Sequence, residues 1–202
     1  MWLFYLIAVP VFFATLAMMV REGLWSNTIT LICIVLSGLA AFGFYQPLTV
    51  WVDEKTEGSY TYLLDIVCLW GVYVVAMILL SALAASLSKT RMRFKNPIDP
   101  IGGPIVAVIS GWVLMSLVLA SLHTAPLGKE TMGGALVHST SDVQSKSSLS
   151  APDLWWLRFM QNAAQVDLLG TNQEFSAALF ITTYADHREK FDKSQGWLQK
   201  RS

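Results

Sequence analysis

Histidines, serines and acids set among apolar residues are the side chains of this sequence that could do chemistry. Metal binding needs imidazoles or thiolates at short, fixed spacings, yet His123, His138 and His187 are scattered along the chain. His187 falls in "DHREK", which reads as a solvated helix face, and the other two lie in or beside a run rich in Ser, Thr and Gly. Nucleophilic catalysis would need a serine on a G-x-S-x-G elbow, and metalloprotease chemistry an H-E-x-x-H pair. Neither pattern occurs, nor does a phosphate loop, and the serines of "STSDVQSKSS" belong to the same polar run. The sequence thus implies no catalytic residue, no metal and no cofactor. Two acids remain, Asp65 in "YLLDIVCLW" and Asp99 at the head of "DPIGGPIVAVISGW". A carboxylate at membrane depth is costly and can serve as an ion or proton site. It can equally reach an interface or cap a helix.

The elements that would position these groups are membrane helices. The chain is 54% hydrophobic and 14% charged, against about 25% charged for a soluble domain, and its mean hydropathy is +0.49. Its 14 basic and 14 acidic side chains cancel, which argues against a nucleic-acid partner. Met1–Val20, Thr28–Leu48, Tyr62–Leu87 and Ile101–Leu122 are each apolar enough and long enough to cross a bilayer, because about 20 residues at 1.5 Å rise cover about 30 Å. The first lacks the basic n-region and A-x-A-like site of a signal peptide, so it reads as a retained helix with Pro10 as a kink. The expected fold class is an all-α membrane protein with four transmembrane helices, followed by a flexible linker and a short two-helix tail.

Loop charge gives the orientation. "SKTRMRFKNPID" carries Lys89, Arg91, Arg93 and Lys95 against Asp99 alone, whereas "TVWVDEKTEGSYT" holds one lysine and three acids. The positive-inside rule places the former in the cytoplasm, which puts both termini outside it. Cys33 and Cys68 then lie at different depths, too far apart for the ~7 Å Cα limit of a disulfide.

Three regions follow: a membrane domain over 1–122, a Ser/Thr/Gly-rich linker over 123–152, and a helical extracytoplasmic tail over 153–202. In the tail, Asp153 reads as an N-cap and Gly170 as a stop for a helix over 154–169. Thr171 and Glu174 have capping-box spacing for a second helix over 172–191. The cluster Trp155, Trp156, Phe159 and Met160 supports two readings. One is a small core against Phe175, Leu179 and Tyr184; the other is a helix lying on the lipid interface, which Trp favours.

Small residues are the positive signal. Gly103, Ala107 and Gly111 recur every fourth residue, so they stack on one helix face and let another helix approach closely. Ser37 with Ala41, Ser81 with Ala85 and Ala82 with Ser86 offer weaker versions of the pattern. At the head of the stripe, Asp99 reads as the N-cap of its own helix, with Pro100 in the first helical position. An acid there favours the helix dipole and can pair with Arg91, Arg93 or Lys95.

These residues resemble the signature of the colicin V production protein family, an Asp followed by small residues at four-residue steps. The pattern falls on Asp99, Gly103, Ala107 and Gly111, with alanine where the family usually has its middle glycine. "VREGLWSNTITL" resembles the family's Arg/Gly/Glu junction between its first two helices, here Arg21, Glu22 and Gly23. The resemblance covers about residues 1–127. It departs in lacking an acid early in the first helix and in carrying a longer tail after Gly128. It implies a bacterial inner-membrane protein required for making or exporting a peptide toxin, and it supplies no catalytic residue. The reading it favours is a non-enzymatic accessory protein acting by helix–helix association, with itself or with another membrane protein. The alternative is a small channel or transporter for an unidentified solute, with Asp65 and Asp99 near its two mouths.

The orientation is testable with single cysteines in a chain lacking Cys33 and Cys68. Cysteines at Ser59 and Ser147 should react with an impermeant thiol reagent in intact spheroplasts, and one at Thr90 should not. Labelling at Thr90 alone would invert the topology.

Overall fold

The computed structural model describes residues 2–56, 61–87, 98–128, 133–139, 141–147, 150–165 and 175–193. Four helices are long and apolar enough to cross a membrane: α1 (Trp2–Met19), α2 (Leu24–Lys55), α3 (Thr61–Leu87) and α4 (Ile98–Ser121). In lipid a backbone without internal hydrogen bonds costs several kcal/mol per group, so apolar runs of this length become helices. A 3₁₀ turn (Leu122–Thr124) ends α4, and α5 (Asp142–Ser145), α6 (Pro152–Gln165) and α7 (Ala177–Lys193) follow. There is no strand among the described residues. The chain is a multi-pass, all-helical membrane protein.

The expected spans agree closely for α1, α3 and α4. Helix α2 differs, beginning before Thr28 and running past Leu48 to Lys55. Its 32 residues extend about 48 Å at 1.5 Å each, more than the hydrocarbon layer needs. Asp53, Glu54 and Lys55 occupy the overhang. The basic residues Lys89 to Lys95, like Gly170, Thr171 and Glu174 in the tail, lie outside the described residues.

Neighbouring elements in this fold are α1 with α4, and α2 with α3 and α4. Two buried clusters result. Phe4, Ala8, Met115 and Leu119 join α1 to α4, with Leu136 from the Ser/Thr/Gly-rich stretch added to them. The larger cluster runs from Ile34, Phe42 and Tyr45 of α2 through Leu69 of α3 and Leu117 of α4 to Trp156, Leu157 and Met160 of α6 and Ile181 and Tyr184 of α7. Cys33 and Cys68 are buried free thiols.

The tail helices therefore pack on the membrane helices as well as on each other. The Trp156 ring is fully buried and lies over Gly38 of α2: a Cβ there would come within 2.6 Å of Trp156 and 2.5 Å of Leu117. Phe42 meets both Trp156 and Phe180 at ring separations of 6.0 Å. Tyr45 and Tyr184 share a hydroxyl hydrogen bond of 3.0 Å. Of the residues expected to receive α6, Tyr184 is buried and Phe175 packs on the core, whereas Leu179 is 65% exposed. Trp155 and Phe159 stack on each other at 5.8 Å, half-buried on the outer side of α6.

Gly38→Ala should therefore displace Trp156, with an overpacking cost of roughly 1–3 kcal/mol. In detergent the melting temperature should fall, and less so in a Trp156→Leu background, where one of the two clash partners is gone and Leu117 remains. Equal losses in the two backgrounds would mean that α6 does not sit on Gly38.

Candidate functional site

The residues of the two motif stretches meet at one end of the bundle, where α1 ends and α2 and α4 begin. The first N–H groups of any helix lack intrahelical partners, and Gly23, at the N-cap of α2, has extended backbone and no side chain with which to satisfy them. Asp99 supplies the missing group from another helix: the Leu24 N–H donates to its Oδ1 at 2.8 Å. A carboxylate facing a helix N-terminus also gains from the macrodipole. The glycine is what leaves room, because a Cβ at position 23 would stand 3.2 Å from both Asp99 carboxylate oxygens.

This corrects the expected role of Asp99. Helix α4 begins at Ile98, so Asp99 sits in its first turn with Pro100 behind it, and the helix it caps is α2. The capping chemistry is as expected, but the recipient is not. Two helix starts lie side by side, and the one with a bare N-cap takes the carboxylate.

The small residues continue the contact. A Cβ on Gly103 would come within 2.9 Å of the Glu22 carbonyl oxygen, so the backbone of the junction rests directly on α4. Ala107 is fully buried. A Cβ on Gly111 would meet the Phe12 ring at 3.2 Å and the Phe12 carbonyl at 3.3 Å. The helix expected to approach this face is thus α1, joined by the 20–23 turn. Arg21 and Glu22 project exposed side chains. Glu22 and Gly23 serve the contact through a carbonyl and an absent Cβ.

Sequence reasoning missed Asn27. It is buried at 1% exposure, and its Nδ2 donates to the Met19 carbonyl at 3.0 Å and to the Gly103 carbonyl at 2.9 Å. One amide thereby joins the last turn of α1, the first turns of α2 and the stripe on α4. An amide among apolar residues one turn after a glycine N-cap was the available signal.

The opposite end of the bundle carries a second polar cluster. His123, at the end of α4, and His138 both point Nε2 at Asp153 Oδ2, at 2.9 and 2.8 Å. Asp153 lies in the first turn of α6, and instead of the expected cap its carboxylate takes both histidines. On the far side of each ring stands a cation: Arg188 lies 3.5 Å from His123 Nδ1, and Lys146 Nζ lies 3.1 Å from His138 Nδ1. Arg188 also donates to the Leu136 carbonyl at 3.1 Å, and Lys146 pairs with Asp142 at 3.2 Å.

The partners assign the tautomer. Guanidinium and ammonium groups only donate, so each Nδ1 is an acceptor and each Nε2 carries the proton given to Asp153. The two imidazoles and the carboxylate are close enough to hold a metal ion, their ligand atoms lying within 4.8 Å of one another. A metal, however, needs the Nε2 lone pairs that this arrangement has protonated, and it would add charge where Arg188 already balances Asp153. The cluster is a hydrogen-bonded clamp. Burial would raise the Asp153 pKa, but the hydrogen bonds from His123 and His138 outweigh it and hold the group well below the usual carboxylate range. Asp153 therefore remains charged through mildly acidic pH, and its stabilising effect is lost only as pH falls below about 4, the ordinary carboxylate value.

Two further expectations change here. His187 is half-buried and not on a solvated face, and its Nδ1 lies 3.9 Å from Asp65 Oδ2. Asp65 is itself buried and is tied to α7 rather than reaching an interface.

No curated protein and no solved structure matches this chain at a meaningful level. The family described as "Colicin V production protein" matches residues 4–152, from the first turn of α1 to the first residue of α6, and so covers the junction, the glycine stripe and both clamp histidines. The chain belongs to the colicin V production protein family.

Proposed function

We propose that this protein is a non-catalytic accessory protein of the bacterial inner membrane. It supports the making or export of a peptide toxin of the colicin V class and, more generally, the upkeep of the envelope. Both its termini lie outside the cytoplasm. Family membership supports the toxin reading. The observation that carries the accessory reading is the use made of the motif residues: Asp99 caps α2, and Gly103 and Gly111 seat α1 and the junction. Residues that a channel or transporter would present to a solute are here spent on holding helices together, and Asp65, at the other end, faces His187.

Association with a second copy or with another membrane protein then falls to surfaces other than the stripe. The division into a membrane domain over 1–122, a connecting stretch over 123–152 and a tail over 153–202 belongs to the same proposal, with the tail as the part offered outside the cytoplasm.

A graded set of substitutions tests it by complementation of a deletion strain, with membrane level followed by immunoblot. Among the alanine substitutions Gly103→Ala should be the most severe, because its Cβ meets backbone at 2.9 Å. Gly111→Ala should be intermediate and Gly111→Leu null. Gly71→Ala, with nothing within 4 Å of its Cβ, should be silent. Asp99→Asn keeps a capping oxygen and should be mild, whereas Asp99→Leu should remove about 1 kcal/mol of capping together with the helix-dipole gain and fail. Full activity of Gly103→Ala at normal abundance would remove the scaffold reading. Specific solute flux through liposomes holding the purified protein, abolished by Asp65→Asn, would replace it with the channel.

A further inference from the structure

We propose that α6 and α7 form a re-entrant pair: they lie beside α4 at membrane depth, and their polar face lines a water-filled recess open at the His123 end of the bundle. The apolar runs Thr28–Leu48 of α2 and Ile101–Leu122 of α4 mark the depth of the lipid layer. Trp156 of α6 sits on Gly38, midway along the first run, where Leu117 of α4 meets the same glycine. Leu117 is itself about 8 Å short of the end of the second run. The contact thus lies inside the layer and not on its surface.

Contacts along the two helices give their direction. Helix α6 starts at the end of the bundle, where Asp153 meets His123, and runs inward to Trp156 over Gly38. Further on, Gln161 Oε1 accepts the Ala177 N–H at 3.1 Å, which sets the start of α7 beside the last turns of α6. Helix α7 then returns outward. Phe180 meets Phe42, Tyr184 meets Tyr45, His187 faces Asp65, and Arg188 reaches His123. Burial along α4 agrees. Ile101, Ile105, Val108 and Ile109 are exposed, as lipid-facing residues are, whereas no residue from Ser110 to Thr124 is. That covered stretch is about 21 Å long, the length of the 14 residues of α6.

A helix at this depth turns apolar side chains to lipid, as α3 does with Val74, Val75, Ile78 and Leu79. The re-entrant pair does not. Asn162 and Gln165 of α6 and Thr182 of α7 are exposed. Arg158, just past Trp156, gives one N–H to the Lys146 carbonyl at 2.6 Å, while its Nε is buried with no hydrogen-bond partner among the described residues. The Thr182 hydroxyl is satisfied on its own helix, so the need for water comes from the two amides and Arg158. Such groups are costly against hydrocarbon, and in membrane proteins they face the protein interior or a water-filled cavity. Water has a route to them. Thr182, Asp186 and Glu189 fall at helical spacing on one exposed side of α7, which leads from the recess to the end of the bundle. On the orientation proposed above, the recess opens away from the cytoplasm.

The test uses the full chain in lipid nanodiscs, with Cys33→Ala and Cys68→Ala and one spin label at a time. Leu36 and Phe44, both exposed on α2, bracket the level of Trp156 and serve as depth references. Their labels should collide more with oxygen, which concentrates in lipid, than with a polar nickel chelate. Labels at Asn162 and Thr182 should show the reverse ratio. Nanodiscs present both membrane faces to the chelate, so the outcome does not depend on orientation. A preference for the chelate at Leu36 and Phe44 would put Trp156 outside the lipid. A preference for oxygen at Asn162 would turn that face to lipid, and shielding from both reagents would mean that a second chain covers it. Each of these results overturns the recess. A variant with Asn162→Leu and Gln165→Leu checks the same point without a label. Its melting temperature in nanodiscs should not rise, because water meets that face, and a higher melting temperature would likewise overturn the recess.

Discussion

The arrangement of this protein depends on a backbone group that needs a partner where water is scarce. Helix α2 starts on a glycine that cannot cap it, at the rim of the apolar layer, and an unsatisfied N–H there costs of order 1–3 kcal/mol. Asp99 meets that need from the first turn of α4. The contact fixes the two helix starts at the same level, and the rest of the bundle follows from it. With Asp99 at Leu24, Gly103 falls on the Glu22 carbonyl and Gly111 on Phe12, so α1 must run along α4. Each small residue is required because the one before it has already set the helix separation.

Packing of the tail obeys the same rule at the other end. Trp156 can pack this closely against α2 only because position 38 has no side chain. A buried tryptophan there stands where lipid tails would otherwise meet the groove, and dispersion contacts with a close-fitting ring favour protein over lipid. The half-buried stack of Trp155 and Phe159 stays on the outside of α6, where an aromatic pair suits a membrane–water boundary.

The four spans were legible because membrane crossing is a one-dimensional constraint, set by length and apolarity within each segment. The glycine stripe was legible as a face for the same reason, since a four-residue period lies within one helix. Its occupant was not, because lipid, a partner chain and a neighbouring helix of the same chain leave the same trace in the stripe itself. Gly23 held the missing information: a helix start without a capping side chain needs a group from elsewhere, and Asp99, read as the cap of its own helix, was the acid that supplies it. The overhang of α2 escaped notice because Asp53 to Lys55 look like loop residues once they leave the membrane. The histidine clamp was illegible for a different reason. His123, His138, Asp153 and Arg188 come from four separate segments, and only the docking of α6 and α7 on the bundle brings them together.

The two ends are held by different chemistry, and that difference has consequences. At the junction the contacts are carbonyls, an amide side chain, absent Cβ atoms and one carboxylate on an N–H. The carbonyls, the amide and the absent Cβ atoms exchange no proton across the physiological range. At the tail end the contacts are imidazoles between a carboxylate and cations, the one side chain whose ordinary pKa lies near neutrality. The junction thus rests on backbone groups and close packing, and the docking of α6 and α7 on a hydrogen-bonded ionic cluster as well as on the apolar core.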